Sequence, residues 1–508
     1  MNVVLINPPL QDSQFGKGIT EHIGICYIAG YLISKDMLVD IIEAPANGLS
    51  FEEVCCLIER KQYDIVGIST YSYNYICAYR LARYAKKNRA KFVFIGGYLP
   101  TLNFRKMKKD FKYVDCMVIG EGEITVFELI KKIDAGTDWR NTKGIAYLLK
   151  DDTIYFSGKR ELVKDLDILP FPKRGVGRSK LANVIASRGC YANCSFCAIK
   201  SFYKMCLGKS VRYRSAENVV TEIEDILRCN TEIEVINFND DNFSLLGSER
   251  KRWISDFCSL FEQKQIKTKF ACLLRANDIV YGMDSIRKLK KIGLTYIFVG
   301  IESFIQEHLQ LYNKKTKVSL NILALKMLEN EGIKINMGFL LFNPITTLKD
   351  IKETVSIFRK IRFNEKNKFY IKPISYSPVI VVEGSCLYDY LKENKLLAPN
   401  SLGYEFLYHE TKICFEAVKK WYVMVEKICE KSFLEETLEG VQLTIFKDCY
   451  YRLFYLDLWY LENAADIIEI GENVGNNLDK LYEDALEQIV YIEQQLMEVD
   501  KNVGKQCE

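Results

Sequence analysis

The segment Arg188-Gly189-Cys190-Tyr191-Ala192-Asn193-Cys194-Ser195-Phe196-Cys197 places three cysteines within eight residues. Thiolates are soft ligands suited to iron–sulfur clusters, and a loop opened by Gly189 can wrap three of them around one cubane. Three thiolates hold three corners and leave the fourth iron open to a bidentate ligand. Structural zinc wants four ligands in paired spacing, and no CxxC or HxxxH partner follows downstream. A two-electron redox CxxC gives the third cysteine no task.

Other polar residues collect where apolar runs end. Asn239-Asp240-Asp241-Asn242-Phe243 closes one run and Gly300-Ile301-Glu302-Ser303 another. Carboxylates there can bind an ammonium group; equally, the aspartates can cap a helix and Glu302 can join a structural ion pair. Nearer the N-terminus, four runs end in Asn7-Pro8-Pro9, Ser69-Thr70-Tyr71-Ser72, Gly96-Gly97-Tyr98 and Gly120-Glu121-Gly122-Glu123. Glycines permit close approach to a ligand and hydroxyls can hydrogen-bond it, although a glycine pair also serves simply to turn the chain.

The elements that must position these residues alternate. Val3–Ile6, Val39–Ile42, Ile65–Ile68, Phe92–Ile95 and Cys116–Ile119 read as buried strands, separated by helical patterns over Ile25–Ser34, Phe51–Lys61, Tyr75–Asn88 and Thr125–Ile133. Strict alternation argues for an α/β fold, a doubly wound parallel sheet of the flavodoxin type with ligands at the strands' carboxyl ends. Gly144–Leu149 and Thr153–Phe156 suggest a hairpin in a connector that ends in the stiff Leu166–Pro172. Alternation resumes with strands at Asn183–Ser187, Glu234–Phe238, Lys269–Leu274, Tyr296–Gly300, Lys334–Leu341 and Tyr370–Tyr376. Six β/α units fit a partial (β/α)6 TIM-like barrel whose site lies at the strands' carboxyl ends. The tail, with patterns such as Glu416–Cys429 and Leu478–Met497, reads as a C-terminal α-helical region.

Bulk properties set the class. A hydrophobic fraction of 48% supports packed cores, and 70 basic against 66 acidic residues give no support for nucleic-acid binding. The opening Met1–Pro9 does not read as a signal peptide, and no apolar run approaches a membrane span, so a soluble cytoplasmic protein is expected. Seventeen cysteines then read as reduced thiols, most of them small core residues such as Cys26, Cys77, Cys258, Cys272 and Cys429.

The CxxxCxxC of Cys190, Cys194 and Cys197 resembles the signature of the radical S-adenosylmethionine superfamily. That resemblance implies that the three cysteines ligate a 4Fe-4S cluster whose open iron takes the amine and carboxylate of S-adenosylmethionine. It also implies that Phe196 lies against the adenine, that Asp240 and Asp241 lie near the methionine end, and that Glu302 and Ser303 reach ribose or substrate. Arg212 and Arg214 precede a helix in a pattern the superfamily shares, or else are solvated surface arginines. The N-terminal loops, the stretch Gly24–Leu32 and the Leu166–Pro172 linker resemble the cobalamin-binding members. Pro8, Ser69, Thr70, Gly96, Gly97, Gly120, Glu121 and Gly122 are then the implied cobalamin contacts. The chain lacks the DxHxxG loop whose histidine ligates cobalt in other cobalamin domains. His22 stands where a proline is usual, either as a loop histidine or as a cobalt ligand, and Tyr98 replaces the usual proline or histidine.

The organisation expected is a cobalamin-binding domain over 1–140, a linker over 141–178, a radical S-adenosylmethionine barrel over 179–397 and a helical domain over 398–508. The function implied is cleavage of S-adenosylmethionine to a 5′-deoxyadenosyl radical, with methylation of an unactivated carbon. Cobalamin-assisted cyclisation or rearrangement, and a non-catalytic cobalamin or iron–sulfur carrier, are the alternatives. The partners implied are a small-molecule or peptide substrate and an electron donor of flavodoxin or ferredoxin type.

Overall fold

The computed structural model describes residues 1–10, 21–174, 180–429 and 438–506. The end of the expected linker (175–178) and residue 179 lie outside them. The chain divides into two compact units: Met1–Tyr191 with Cys197–Phe243 and Asp256–Phe270, and Ala192–Phe196 with Ser244–Ser255 and Ala271–Glu508.

In the first unit, β1 (Val3–Asn7), β2 (Val39–Glu43), β3 (Ile65–Ser69), β4 (Phe92–Gly96) and β5 (Cys116–Val118) form a parallel sheet in the order β2-β1-β3-β4-β5. In register, Val3 faces Val39 on one side and Ile65 on the other. Alternate side chains feed two cores. Val4, Ile6, Val66, Ile68, Val93 and Ile95 pack under the Phe51–Lys61 and Tyr75–Lys87 helices. Val3, Leu5, Ile65, Phe92 and Phe94 pack under the Ile23–Ile33 and Glu123–Asp134 helices. With both faces covered the strands must be apolar throughout, and each fully buried Val, Ile or Phe contributes about 1.5–3 kcal/mol. Strand order reverses between β1 and β3, the place where doubly wound sheets bind ligands.

The expected hairpin is present, but it belongs to this sheet: β6 (Ile145–Leu148) and β7 (Ile154–Phe156) extend β5 as antiparallel edge strands. The strand expected at Asn183–Ser187 splits into β8 (Leu181–Val184) and β9 (Ser187–Arg188). The latter pairs antiparallel with β10 (Arg212–Tyr213), while β8 pairs in parallel with β11 (Val235–Phe238). The Ala216–Cys229 helix opens on Ser215, whose hydroxyl accepts from the Asn218 amide.

β12 (Lys269–Arg275) runs into the second unit, where β13 (Leu294–Glu302) and β14 (Lys334–Phe339) pair in parallel, with a register shift between Gly300 and Glu302. The sixth expected strand is displaced. Tyr370–Tyr376 makes no ladder, because the buried Asp457 carboxylate takes the backbone amides of Ile374 and Ser375, each at 3.0 Å. A single parallel bridge forms beyond it, between Phe342 and Pro378. The fold is thus a doubly wound sheet, a partial barrel of β/α units and a helical tail of His409–Cys429, Gly440–Ile470 and Val474–Gln506. No described helix is long and apolar enough to cross a membrane.

Candidate functional site

Gly189 opens the cysteine loop at φ +83, and a Cβ there would fall 2.3 Å from the Ser210 carbonyl, so only glycine fits. Its N–H donates to Asp241 Oδ2 at 2.8 Å, and the Tyr203 hydroxyl meets the same oxygen at 3.3 Å. Burial raises the Asp241 pKa, opposed by the Gly189 and Tyr203 hydrogen bonds. The neighbouring Asp240 accepts from the Ala186 amide at 2.8 Å and from the Ser187 hydroxyl. Both expected ammonium acceptors therefore engage donors at the base of the cysteine loop. Cys190 and Cys197 are half-buried.

The middle of the loop belongs to the second unit. Ser195 donates through its hydroxyl to the Leu311 carbonyl at 2.6 Å and through its amide to the Tyr312 carbonyl at 2.9 Å. Phe196 meets the Tyr312 ring edge-on at 5.4 Å. The buried Arg275, at the carboxyl end of β12, directs Nη1 at Cys194 Sγ, 3.0 Å away. Among the described residues no three His, Cys, Asp or Glu side chains converge on a point as a single metal ion needs. A cubane takes each thiolate at a separate iron, so ligands for one need not converge on a single point.

At the carboxyl end of β13, Glu302 takes φ +66 beside the register shift. Such backbone is costly for a non-glycine and recurs at functional sites. Its carboxylate pairs with buried Lys314 at 2.6 Å, and Gly300 leaves the room for this pair. Ser303 accepts from the Ile305 amide at 3.0 Å, and its hydroxyl lies 3.3 Å from His308 Nδ1.

The N-terminal strand ends converge on one edge of their sheet. The Thr70 amide donates to the Gly96 carbonyl at 2.7 Å, and Gly97, at φ +110, lets its backbone lie against Thr70. A Cβ on Gly120 would come 2.4 Å from Cys206 Sγ, and one on Gly122 would come 2.6 Å from Ile28. At 97, 120 and 122 the space a side chain would take is filled by protein atoms. Tyr71 stacks with Tyr73 at 5.2 Å and with Tyr98 at 5.8 Å. Asn7, beside Pro8, donates to Glu43 at 2.9 Å. Hydroxyls, backbone amides and flat tyrosine rings suit a large macrocycle with amide side chains.

His22 caps the Ile23–Ile33 helix: Nδ1 accepts from the Ile25 amide at 3.2 Å, while Nε2 lies 2.9 Å from the Tyr71 hydroxyl and 3.1 Å from Ser69 Oγ. Burial pushes its pKa down to about 4, so the ring is neutral with both nitrogens occupied.

One network escaped sequence reasoning. Arg212 forks onto Glu121, with Nη2–Oε1 at 2.6 Å and Nη1–Oε2 at 3.1 Å. Arg188 bridges Glu121 at 3.2 Å and Glu123 at 2.6 Å. Burial opposes the Glu121 charge, but Arg188 and Arg212 outweigh it and hold its carboxyl below the usual range. Arg214 is likewise buried, on Glu222. These arginines are structural rather than solvated, and they fasten the Gly120–Glu123 strand end to the residue two before Cys190. The sequence carries no local signal for it, because Arg188 lies 65 positions from Glu123 and Arg212 lies 91 from Glu121.

Two family models match this arrangement: the B12 binding domain over residues 16–130 and the radical S-adenosylmethionine superfamily over 184–357. An uncharacterized methyltransferase of Pyrococcus horikoshii is 26% identical over 408 residues, 78% of this chain and 84% of its own. An anaerobic magnesium-protoporphyrin IX monomethyl ester cyclase of Rubrivivax gelatinosus is 26% identical over 355 residues, 66% of this chain and 61% of its own. Among solved structures, the cobalamin-dependent S-adenosylmethionine radical enzyme OxsB with aqua-cobalamin bound aligns with a TM-score of 0.77 and 18% identity, over 100% of this chain and 81% of its own. That likeness shows the fold, while the two family models imply cobalamin, S-adenosylmethionine and a 4Fe-4S cluster as cofactors. The chain belongs to the cobalamin-binding radical S-adenosylmethionine enzymes.

Proposed function

We propose that the protein methylates an unactivated carbon of a small-molecule or peptide substrate, in the cytoplasm, with electrons from a flavodoxin or ferredoxin-type donor. When bound, the cluster supplies the electron that cleaves S-adenosylmethionine to a 5′-deoxyadenosyl radical, and cobalamin carries the methyl group. Cys190, Cys194 and Cys197 hold the cluster. Phe196, Glu302 and Ser303 line the S-adenosylmethionine site, with Asp240 and Asp241 positioning the cysteine loop. Pro8, Ser69, Thr70, Gly96, Gly97, Gly120 and Gly122 shape the cobalamin edge, and Glu121 acts through the arginines that tie this edge to the loop. The proposed organisation is a cobalamin-binding domain over 1–140, a linker over 141–178 whose hairpin β6–β7 pairs onto the first sheet, a radical S-adenosylmethionine barrel over 179–397 and a helical domain over 398–508.

The observation that carries this reading is the Arg188 link. One side chain, two residues before Cys190, pairs with Glu121 and Glu123 at the cobalamin edge. Two cofactor sites fastened together through a buried salt bridge suit chemistry that uses both. Anaerobic reconstitution followed by product analysis tests it. Methyl transfer yields both S-adenosylhomocysteine and 5′-deoxyadenosine, and Cys197→Ala yields neither. Similarity to a cyclase supports a second reading, radical cyclisation or rearrangement, in which 5′-deoxyadenosine appears without the homocysteine product.

A further inference from the structure

The carboxyl end of β3 carries two hydroxyl groups whose protons find no acceptor among the described residues. Ser69, 6% exposed, and the half-buried Tyr71 both face His22 Nε2, at 3.1 and 2.9 Å. The direction of these bonds is set on the far side of the ring. The Ile25 amide can only donate, so Nδ1 accepts from it at 3.2 Å and the neutral ring carries its hydrogen on Nε2. Nε2–H is therefore the donor, and the Ser69 and Tyr71 oxygens accept from it. Each hydroxyl keeps its own proton. The backbone of the turn is already closed, because the Tyr71 amide donates to Asn74 Oδ1 at 2.7 Å and the Asn74 side chain to the Ser69 carbonyl at 3.4 Å. The Tyr71 ring is held by its stacks on Tyr73 and Tyr98. Beside them the fully buried Glu43 accepts from the His22 amide at 2.8 Å and from the Asn7 side chain at 2.9 Å.

We propose that Tyr71 and Ser69 donate together to a neutral acceptor of cobalamin, and that His22 is the positioning residue that turns both hydroxyl protons toward it. The inference rests on the reading of this sheet edge as the cobalamin site. Buried donors are paired in folded proteins, so two fixed O–H groups beside one nitrogen call for an acceptor from outside the chain. Glu43 sets the charge of that acceptor, since a second anion next to a buried carboxyl is repelled. Cobalamin offers two neutral groups of this kind, the carboxamide carbonyls of its corrin ring and the nitrogen of its nucleotide base. His22 thereby has a task that uses both ring nitrogens and leaves neither for cobalt.

The test is equilibrium dialysis of hydroxocobalamin against the full chain, its Tyr71→Phe variant and the Ser69→Ala/Tyr71→Phe pair. Tyr71→Phe keeps the ring stack, so its thermal midpoint should change little. Its cobalamin Kd should weaken about threefold to tenfold, the range of one hydrogen bond, and that of the pair should weaken further. His22→Asn keeps an acceptor for the helix amide but is too short to span to Tyr71. It should weaken the Kd of the unsubstituted chain and add nothing in the Ser69→Ala/Tyr71→Phe background. Cobinamide, which lacks the nucleotide, separates the two sources: an equal loss with it assigns the carboxamide, and a loss confined to cobalamin assigns the base. An unchanged Kd in the Ser69→Ala/Tyr71→Phe pair overturns the proposal, as does a His22→Asn loss of the same size in every background. Tighter cobalamin binding by Glu43→Gln shows that the acceptor is an anion and also overturns it. So does a nitrogen coupling in the cobalt(II) spin-resonance spectrum that changes with isotope-labelled histidine, because it puts His22 on cobalt. A full chain that binds no cobalamin at all instead removes the reading of this edge itself.

Discussion

The Asp241 carboxylate accepts the backbone N–H of Gly189 at 2.8 Å across 52 positions of sequence, one residue before Cys190. The bond fixes where the cysteine loop departs from its strand. Asp241→Ala leaves that amide buried without its acceptor, at a cost of about 1–3 kcal/mol. The expected outcome is lower iron and sulfide content after reconstitution. Asp241→Asn keeps an acceptor oxygen and should load close to the unsubstituted level. Metal analysis of the three proteins decides it, and full loading of the alanine variant would leave Asp241 without the positioning role.

Local signals made much of the fold legible. Val3–Ile6 and Ile65–Ile68 are strands to within one residue, because β-branched runs in a doubly covered sheet have no other solution. The Phe51–Lys61 helix has the expected bounds, with Ser50 and Glu53 closing a capping box at its start. What stayed hidden was non-local. Tyr370–Tyr376 has strand composition, and nothing near it shows that Asp457 will take its amides from 83 residues away. The cysteine spacing carries its expected chemistry within the sequence itself, whereas the contacts of Asp241, Arg212 and His22 depend on partners that only the fold supplies.

Arg212 and Glu121 test the buried network. Removing the sole partner of a buried charge costs about 3–5 kcal/mol, and the loss here is smaller because Arg188 still faces Glu121. Arg212→Ala should therefore lower the midpoint of the first unit's urea transition. Adding Glu121→Gln neutralises a carboxylate left with Arg188 alone and should return part of the loss, a coupling of about 1 kcal/mol or more. Strictly additive effects would show that the pair contributes nothing beyond its separate members.

His22 gives a pH prediction. Its folded pKa, about 4, lies below the ordinary histidine value near 6.5, so between those limits the unfolded chain binds more protons than the folded one. Stability is therefore complete above about pH 6.5 and falls as pH drops toward 4, by on the order of 2–3 kcal/mol. Protonation places a hydrogen on Nδ1, facing the Ile25 amide it caps. His22→Gln should flatten this part of the stability profile. With only three histidines in the chain, imidazole resonances can be followed individually, and His22 should remain neutral at pH 5.5.

Glu302 and Lys314 allow stability to be separated from function. Their 2.6 Å pair is buried, and Glu302 is held at φ +66 within the register shift that ends β13. Lys314→Met strands a carboxylate and should cost about 3–5 kcal/mol. Glu302→Gln/Lys314→Met removes both charges, and buried pairs replaced in this way are often neutral for stability. If Glu302 serves only the fold, the double variant regains both stability and S-adenosylmethionine affinity. If its carboxylate also contacts the cosubstrate, as proposed, stability returns while the affinity stays reduced. Denaturation curves beside equilibrium dialysis of S-adenosylmethionine on reconstituted protein distinguish the two, and the expected outcome is the split.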